Sequence, residues 1–162
     1  MTGFSGWKSD RALTTWPIAL LRIYCGLFFL IHGWGKVTRE GGLGGFAEGM
    51  AGFLGTRETM FDFYRGFVEA VVIPNQGFFA FLVAYGELFL GLAMILGLAT
   101  RYAALAGVFM VLNFWFAKGL GFWAGQNHDV VWAFILVALA LVPAGHVYGL
   151  DAKLSDRFKI LR

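Results

Sequence analysis

The chain has 162 residues, of which 59% are hydrophobic and only 14% charged, with a formal net charge of +3. Soluble domains hold about 45–50% apolar and about 25% charged residues, so this composition excludes an ordinary soluble enzyme and points to a small protein of the lipid bilayer. The modest positive charge gathers at the ends of apolar segments, with no nucleic-acid-binding pattern beside it. The expected partners are therefore membrane lipid and other membrane-complex subunits, not nucleic acid. The single cysteine, Cys25, excludes an internal disulfide and any CxxC redox or zinc motif.

The expected fold class is an all-α membrane protein with one domain over residues 1–162. Its core would be a four-transmembrane-helix bundle, with an extra amphipathic helix in the loop between helices 1 and 2. Spanning takes about 20 apolar residues. The first segment is placed at about residues 16–34. Lys8 and Arg11 precede it as in a signal peptide, but no small-x-small cleavage site follows. The chain runs on through His32, Gly33, Trp34, Gly35 and Lys36, so the segment is read as retained. At helical spacing Arg22, Cys25, Phe29, His32 and Lys36 fall on one broad stripe.

The next connection, residues 37–76, is too long for a plain link. Gly41 to Gly45 read as flexible, and Phe46, Met50, Phe53 and Leu54 as a short helix. From Arg57 to Ile73, apolar residues recur at three- and four-residue spacing with Glu58, Asp62, Arg65 and Glu69 between them. This predicts an amphipathic interfacial helix over about 57–73, with Thr56 as N-cap and Pro74 as terminator. It could cap the bundle, lie in the interface, or dock a partner subunit together with the aromatic helix faces.

The second segment, about 78–99, carries Glu87 near mid-depth. A carboxylate there costs roughly 2.5–3.5 kcal/mol before it finds a partner. Two readings stay open. Glu87 could pair with Arg22 and lock helices one and two. Alternatively, Glu87 could carry protons or hold a lipid-soluble substrate, with His32 as its relay and Arg22 nearby. Histidine titrates near neutral pH, which suits proton-coupled chemistry. Those three residues, Glu87, His32 and Arg22, are the candidate proton and quinone contacts.

Only Thr100 and Arg101 separate the second segment from the third, about 102–117, so the two should form a tight hairpin eased by Gly97. Asn113 is central in the third segment, either as interhelical glue or as a ligand contact. The loop from Lys118 to Asp129 is rich in Gly and Trp. His128 and Asp129 could admit protons there, or the loop is simply solvated and Asp129 caps helix four, about 129–147. Lys36, Asn113 and His128 complete the candidate quinone-binding set. His146 reads as an interface residue. Three histidines at unrelated spacings make no metal or haem signature, so no intrinsic haem, flavin or metal is expected, and quinone is the candidate cofactor.

Four crossings put both termini on one side. That side holds Lys8, Arg11, Arg101, Lys153, Arg157, Lys159 and Arg162, which predicts cytoplasmic termini in a bacterial inner membrane.

Leu20-Leu21-Arg22, Gly26-Leu27-Phe28-Phe29 and His32-Gly33 through Lys36 resemble the first helix of DoxX-like membrane proteins. Glu87-Leu88 with Gly91, then Leu96-Gly97-Leu98-Ala99-Thr100-Arg101-Tyr102-Ala103-Ala104, resembles that family's second helix and turn. The closing Gly149-Leu150-Asp151-Ala152 is also similar. The resemblance implies a four-helix membrane protein linked to quinone-dependent sulfur oxidation, to terminal oxidase complexes, or to redox homeostasis through partners. By position, Arg22, His32, Lys36, Glu87 and Arg101 match the family's recurrent polar residues. The long first loop and the Gly/Trp-rich third loop depart from it and imply a specialised partner surface.

The expected function is a membrane subunit of a quinone-linked redox or electron-transfer complex. The alternative is a non-catalytic accessory subunit of a respiratory or photosynthetic complex. A small transporter is a third reading, with no internal repeat to support it.

Overall fold

The computed structural model describes the backbone of residues 7–155 and the side chains of residues 15–155. The basic side chains of Lys8 and Arg11, and Arg157, Lys159 and Arg162, lie outside the described side chains. Seven α-helices and no strand occur among the described residues. They are α1 (Trp7–Thr38), α2 (Gly42–Gly55), α3 (Asp62–Phe67), α4 (Gln76–Leu96), α5 (Thr100–Lys118), α6 (His128–Leu141) and α7 (Asp151–Leu154). Three stretches are long and apolar enough to cross a membrane: Thr15–Thr38 within α1, α4 and α5.

Antiparallel α1 and α4 form the closest seam. A Cβ on Gly26 would stand 2.8 Å from the Gly91 carbonyl oxygen, and one on Gly91 2.5 Å from the Leu30 nitrogen. One turn-pair further on, a Cβ on Gly33 would stand 2.8 Å from the Ala84 carbonyl oxygen. Gly26 and Gly33 are seven residues apart and share a face, so two backbones meet where side chains would separate them. This contact sets the register: Gly33 lies level with Glu87, and Arg22 with the end of α4 at Gly97. The core between α1, α4, α5 and α6 is Cys25, Phe29, Leu90, Met94, Val111 and Leu136 with their neighbours.

The hairpin between α4 and α5 turns as expected at Gly97, which takes φ 64°. Thr100 and Arg101 are not the connection, however. They are the first residues of α5, and the turn is completed by Ala99 at φ 47°.

The fourth segment departs more. Helix α6 stops at Leu141, short of the expected 147, because Pro143 has no N–H to continue it. Val142 before it is extended, as a residue preceding proline prefers. A 3-10 turn, Ala144–His146, follows. At 14 residues α6 is about 21 Å long, less than the bilayer core. Its N-cap is Asn127, whose side chain accepts from the Val130 N–H at 3.4 Å, and not Asp129.

The long first connection is folded throughout. Gly41 and Gly42 make a left-handed turn, and Gly44 and Gly45 lie in α2 instead of a flexible tract. Thr56 ends α2 and does not start the amphipathic helix. That helix is shorter than 57–73: α3 continues into a π-helical turn, Val68–Val72. Its apolar face joins Leu54, Met60, Val68 and Val72, packed by Tyr64, Phe79 and Ala117. It thus caps the end of the bundle where α4 begins and α5 ends.

Candidate functional site

Glu87 is buried, with a side chain 5% exposed, and pairs with Lys36 at 2.5 Å from Nζ to Oε2. Lys36 stands in the last turn of α1 and reaches back along its own stem to meet α4. Gly33, one turn earlier, leaves the space in which the carboxylate sits, since a Cβ there would touch Glu87 Cβ at 3.0 Å. The charge of Lys118 also acts on Glu87. Lys118 itself donates to both oxygens of Asp129, at 2.9 and 2.8 Å. One end of the bundle therefore holds two carboxylates and two ammonium groups from α1, α4, α5 and α6.

Arg22 is not part of that group. It lies at the opposite end, fully buried, with Nη2 donating to the carbonyls of Val147 at 3.3 Å and Tyr148 at 3.5 Å. Its charge partner there is Asp151, not Glu87. Asp151 in turn accepts from the N–H groups of Ala99 at 2.7 Å and Thr100 at 3.0 Å, closing the N-terminus of α5. The Arg22–Glu87 pairing reading is thus replaced by a Lys36–Glu87 ion pair and a separate Arg22 site near Asp151, because the α1–α4 register sets the two residues far apart along the seam.

His32 stands at the edge of the expected stripe and is exposed. Its Nδ1 bonds the Phe28 carbonyl oxygen at 2.7 Å. A carbonyl only accepts, so Nδ1 carries the proton and Nε2 of the neutral ring keeps a lone pair. The ring lies 4.0 Å from that of Phe28, which stacks on Trp132 of α6 at 4.1 Å. Asn113 accepts from the Tyr64 hydroxyl at 2.6 Å and donates to the Phe109 carbonyl at 2.7 Å. Burial pushes the Tyr64 phenol above its ordinary pKa, so it remains the donor. This bond ties the cap to α5. His128 is exposed at the start of α6, and its ring joins none of these contacts among the described residues.

Tyr64→Phe is expected to lower stability by about 1 kcal/mol, the net worth of one such bond. Thermal unfolding in detergent against wild type checks it, and an unchanged midpoint would mean that the bond adds nothing to docking of the cap.

Among the described residues no three His, Cys, Asp or Glu side chains are placed to hold a metal ion. Sequence reasoning missed the Lys118–Asp129 pair, although two charges flanking a short loop were a visible signal. It also assigned Asp151 no role of its own.

The DoxX family model matches residues 18–120. The chain belongs to the DoxX family. The match spans the α1–α4 seam, the cap and α5, and so includes Arg22, His32, Lys36, Glu87 and Asn113. This DoxX protein is accordingly an integral membrane protein whose apolar helices meet lipid. His128, Asp129 and Asp151 lie beyond the matched stretch. No curated protein and no solved structure matches the chain.

Proposed function

We propose that this DoxX protein is the quinone- and proton-handling membrane subunit of a redox complex, with Glu87, Lys36 and His32 as its polar centre. The buried Lys36–Glu87 pair carries this reading. Ionisable groups inside membrane segments mark proton or substrate pathways more often than packing alone explains. Lys36 and Glu87 are one hydrogen bond apart and differ in exposure, 20% against 5%, so a proton taken up by the outer group has a short way inward. His32 presents the Nε2 lone pair at the lipid face, where a quinol hydroxyl could donate to it. Redox equivalents would come from another subunit.

In this reading α6 and the turn through His146 complete a fourth crossing, with both termini cytoplasmic in a bacterial inner membrane. Arg22 belongs to the opposite end, and Asn113 and His128 are peripheral to the centre.

Glu87→Gln, compared at equal membrane insertion, is expected to slow quinone-linked turnover of the native complex by about 100-fold or more. Full turnover would make Glu87 a packing residue. Gentle-detergent purification with quinone extraction shows whether quinone and a redox partner accompany the chain.

A second reading, an accessory subunit without chemistry, draws on the outer surface of the cap. Phe63 is 70% exposed and Trp123 91%. Replacing Phe63 and Phe67 with serine is expected to release the protein from its complex, measured by co-purification. Retention would exclude this face as the contact.

A further inference from the structure

The end of the bundle opposite the Lys36–Glu87 pair carries an open pocket of about 200 Å³. Thr100 and Arg101 of α5, Leu141, Pro143 and His146 after α6, and Asp151 line it. Its polar side chains are mostly donors, while the last carbonyls of α6 also edge it. Thr100 is 1% exposed, yet its Oγ1 has no hydrogen-bond partner. The side chains of Arg101 and His146 have none among the described residues. The N–H groups of Arg101 and Tyr102, in the first turn of α5, have no acceptor within the helix. The one carboxylate, Asp151, is already met by two backbone N–H groups and by the charge of Arg22. What remains is a set of unanswered donors, three of them side chains, beside the positive end of a 19-residue helix.

The rim of the pocket carries exposed apolar and aromatic side chains. Leu141 is 78% exposed, and Tyr102 and Tyr148 beside it are exposed too, residues of the kind that favour headgroup depth in a membrane. An acceptor-rich anion with an attached hydrocarbon chain satisfies both the donors and the rim.

We infer that this pocket binds a phosphate group, supplied by the headgroup of an anionic phospholipid. Arg101 and His146 contact its oxygens from the rim, and the Thr100 hydroxyl donates to it from within. The inference is independent of the quinone reading, since it concerns the other end of the bundle.

The test is retention of phosphatidylglycerol by the full chain, counted by native mass spectrometry after extraction from mixed phosphatidylcholine and phosphatidylglycerol vesicles. Wild type should keep phosphatidylglycerol in preference to phosphatidylcholine. Arg101→Gln with His146→Gln should weaken that retention about tenfold or more, the effect of losing charge-assisted bonds. Thr100→Val removes a hydroxyl that has no protein partner, so it should fold normally and still weaken retention about threefold. Equal retention by wild type and both variants would overturn the site. Inorganic phosphate is the second arm: if it stabilises wild type while phosphatidylglycerol does not, the lipid assignment falls to a soluble phosphate.

Discussion

Glu87→Gln is expected to destabilise the protein by about 3 kcal/mol, and adding Lys36→Met to restore most of the loss. The two residues form one buried unit at 2.5 Å. Removing one partner of a buried ion pair costs roughly 3–5 kcal/mol, because the other charge stays without compensation. The lower end applies here, since Lys36 keeps 20% exposure and can swing its ammonium group toward the outer interface. With both charges gone, the Gln and Met side chains leave no uncompensated charge, and replacing a whole buried pair is often neutral. A double-mutant cycle by thermal unfolding in one detergent measures the coupling. If the two single losses simply add, the pair is not energetically linked, and the polar centre must be drawn differently. The same cycle separates stability from chemistry: the double variant should fold and still lack quinone-linked turnover.

Gly97→Ala is expected to destabilise by about 3 kcal/mol or to prevent folding altogether. Two costs combine. Gly97 has φ 64°, a conformation that charges an L residue roughly 1–2 kcal/mol. The new Cβ would also overlap Arg22 Nη1 and stand 2.6 Å from Gly149 Cα. Forcing extra atoms into a packed site costs typically about 1–3 kcal/mol, and here what must move is a guanidinium with no exposure at all. Once displaced, Arg22 loses the Val147 and Tyr148 carbonyls and its place beside Asp151. Gly49→Ala is the matched control, because a Cβ there meets nothing within 4 Å in the middle of α2. That change should stabilise by about 0.5–1 kcal/mol. Equal midpoints for the two variants would show that Arg22 is not held as the structure has it.

These two expectations rest on opposite ends of one seam, and neither could be written from the chain alone. Arg22 and Glu87 stand out in any hydropathy reading, and pairing them is the economical guess. What separates them is a register in which Gly26, Gly33 and Gly91, lacking side chains, let the α1 and α4 backbones touch. A glycine carries no hydropathy signal of its own, so the alignment emerges only when both surfaces are present. The same holds for Asp151. It lies 52 residues from the Ala99 N–H it caps, and no local pattern links them.

Membrane residence, the all-helical class, the apolar segments and the Gly97 turn were determined by the sequence itself. They rest on composition, on runs of apolar residues and on the freedom of glycine at positive φ, all of which act locally along the chain. Pro143 should also have been legible, since the loss of one N–H ends a helix wherever it occurs. The short helix of the first loop was legible from Phe46, Met50, Phe53 and Leu54, but its docking and the capping π-helical turn were decided by tertiary structure. The Tyr64–Asn113 bond and the cluster around Met60 and Val68 hold a short segment that would be marginal as an isolated helix. The partners of Arg22, Lys36 and Glu87 were decided there too, because a buried charge takes whichever opposite group packing brings within reach.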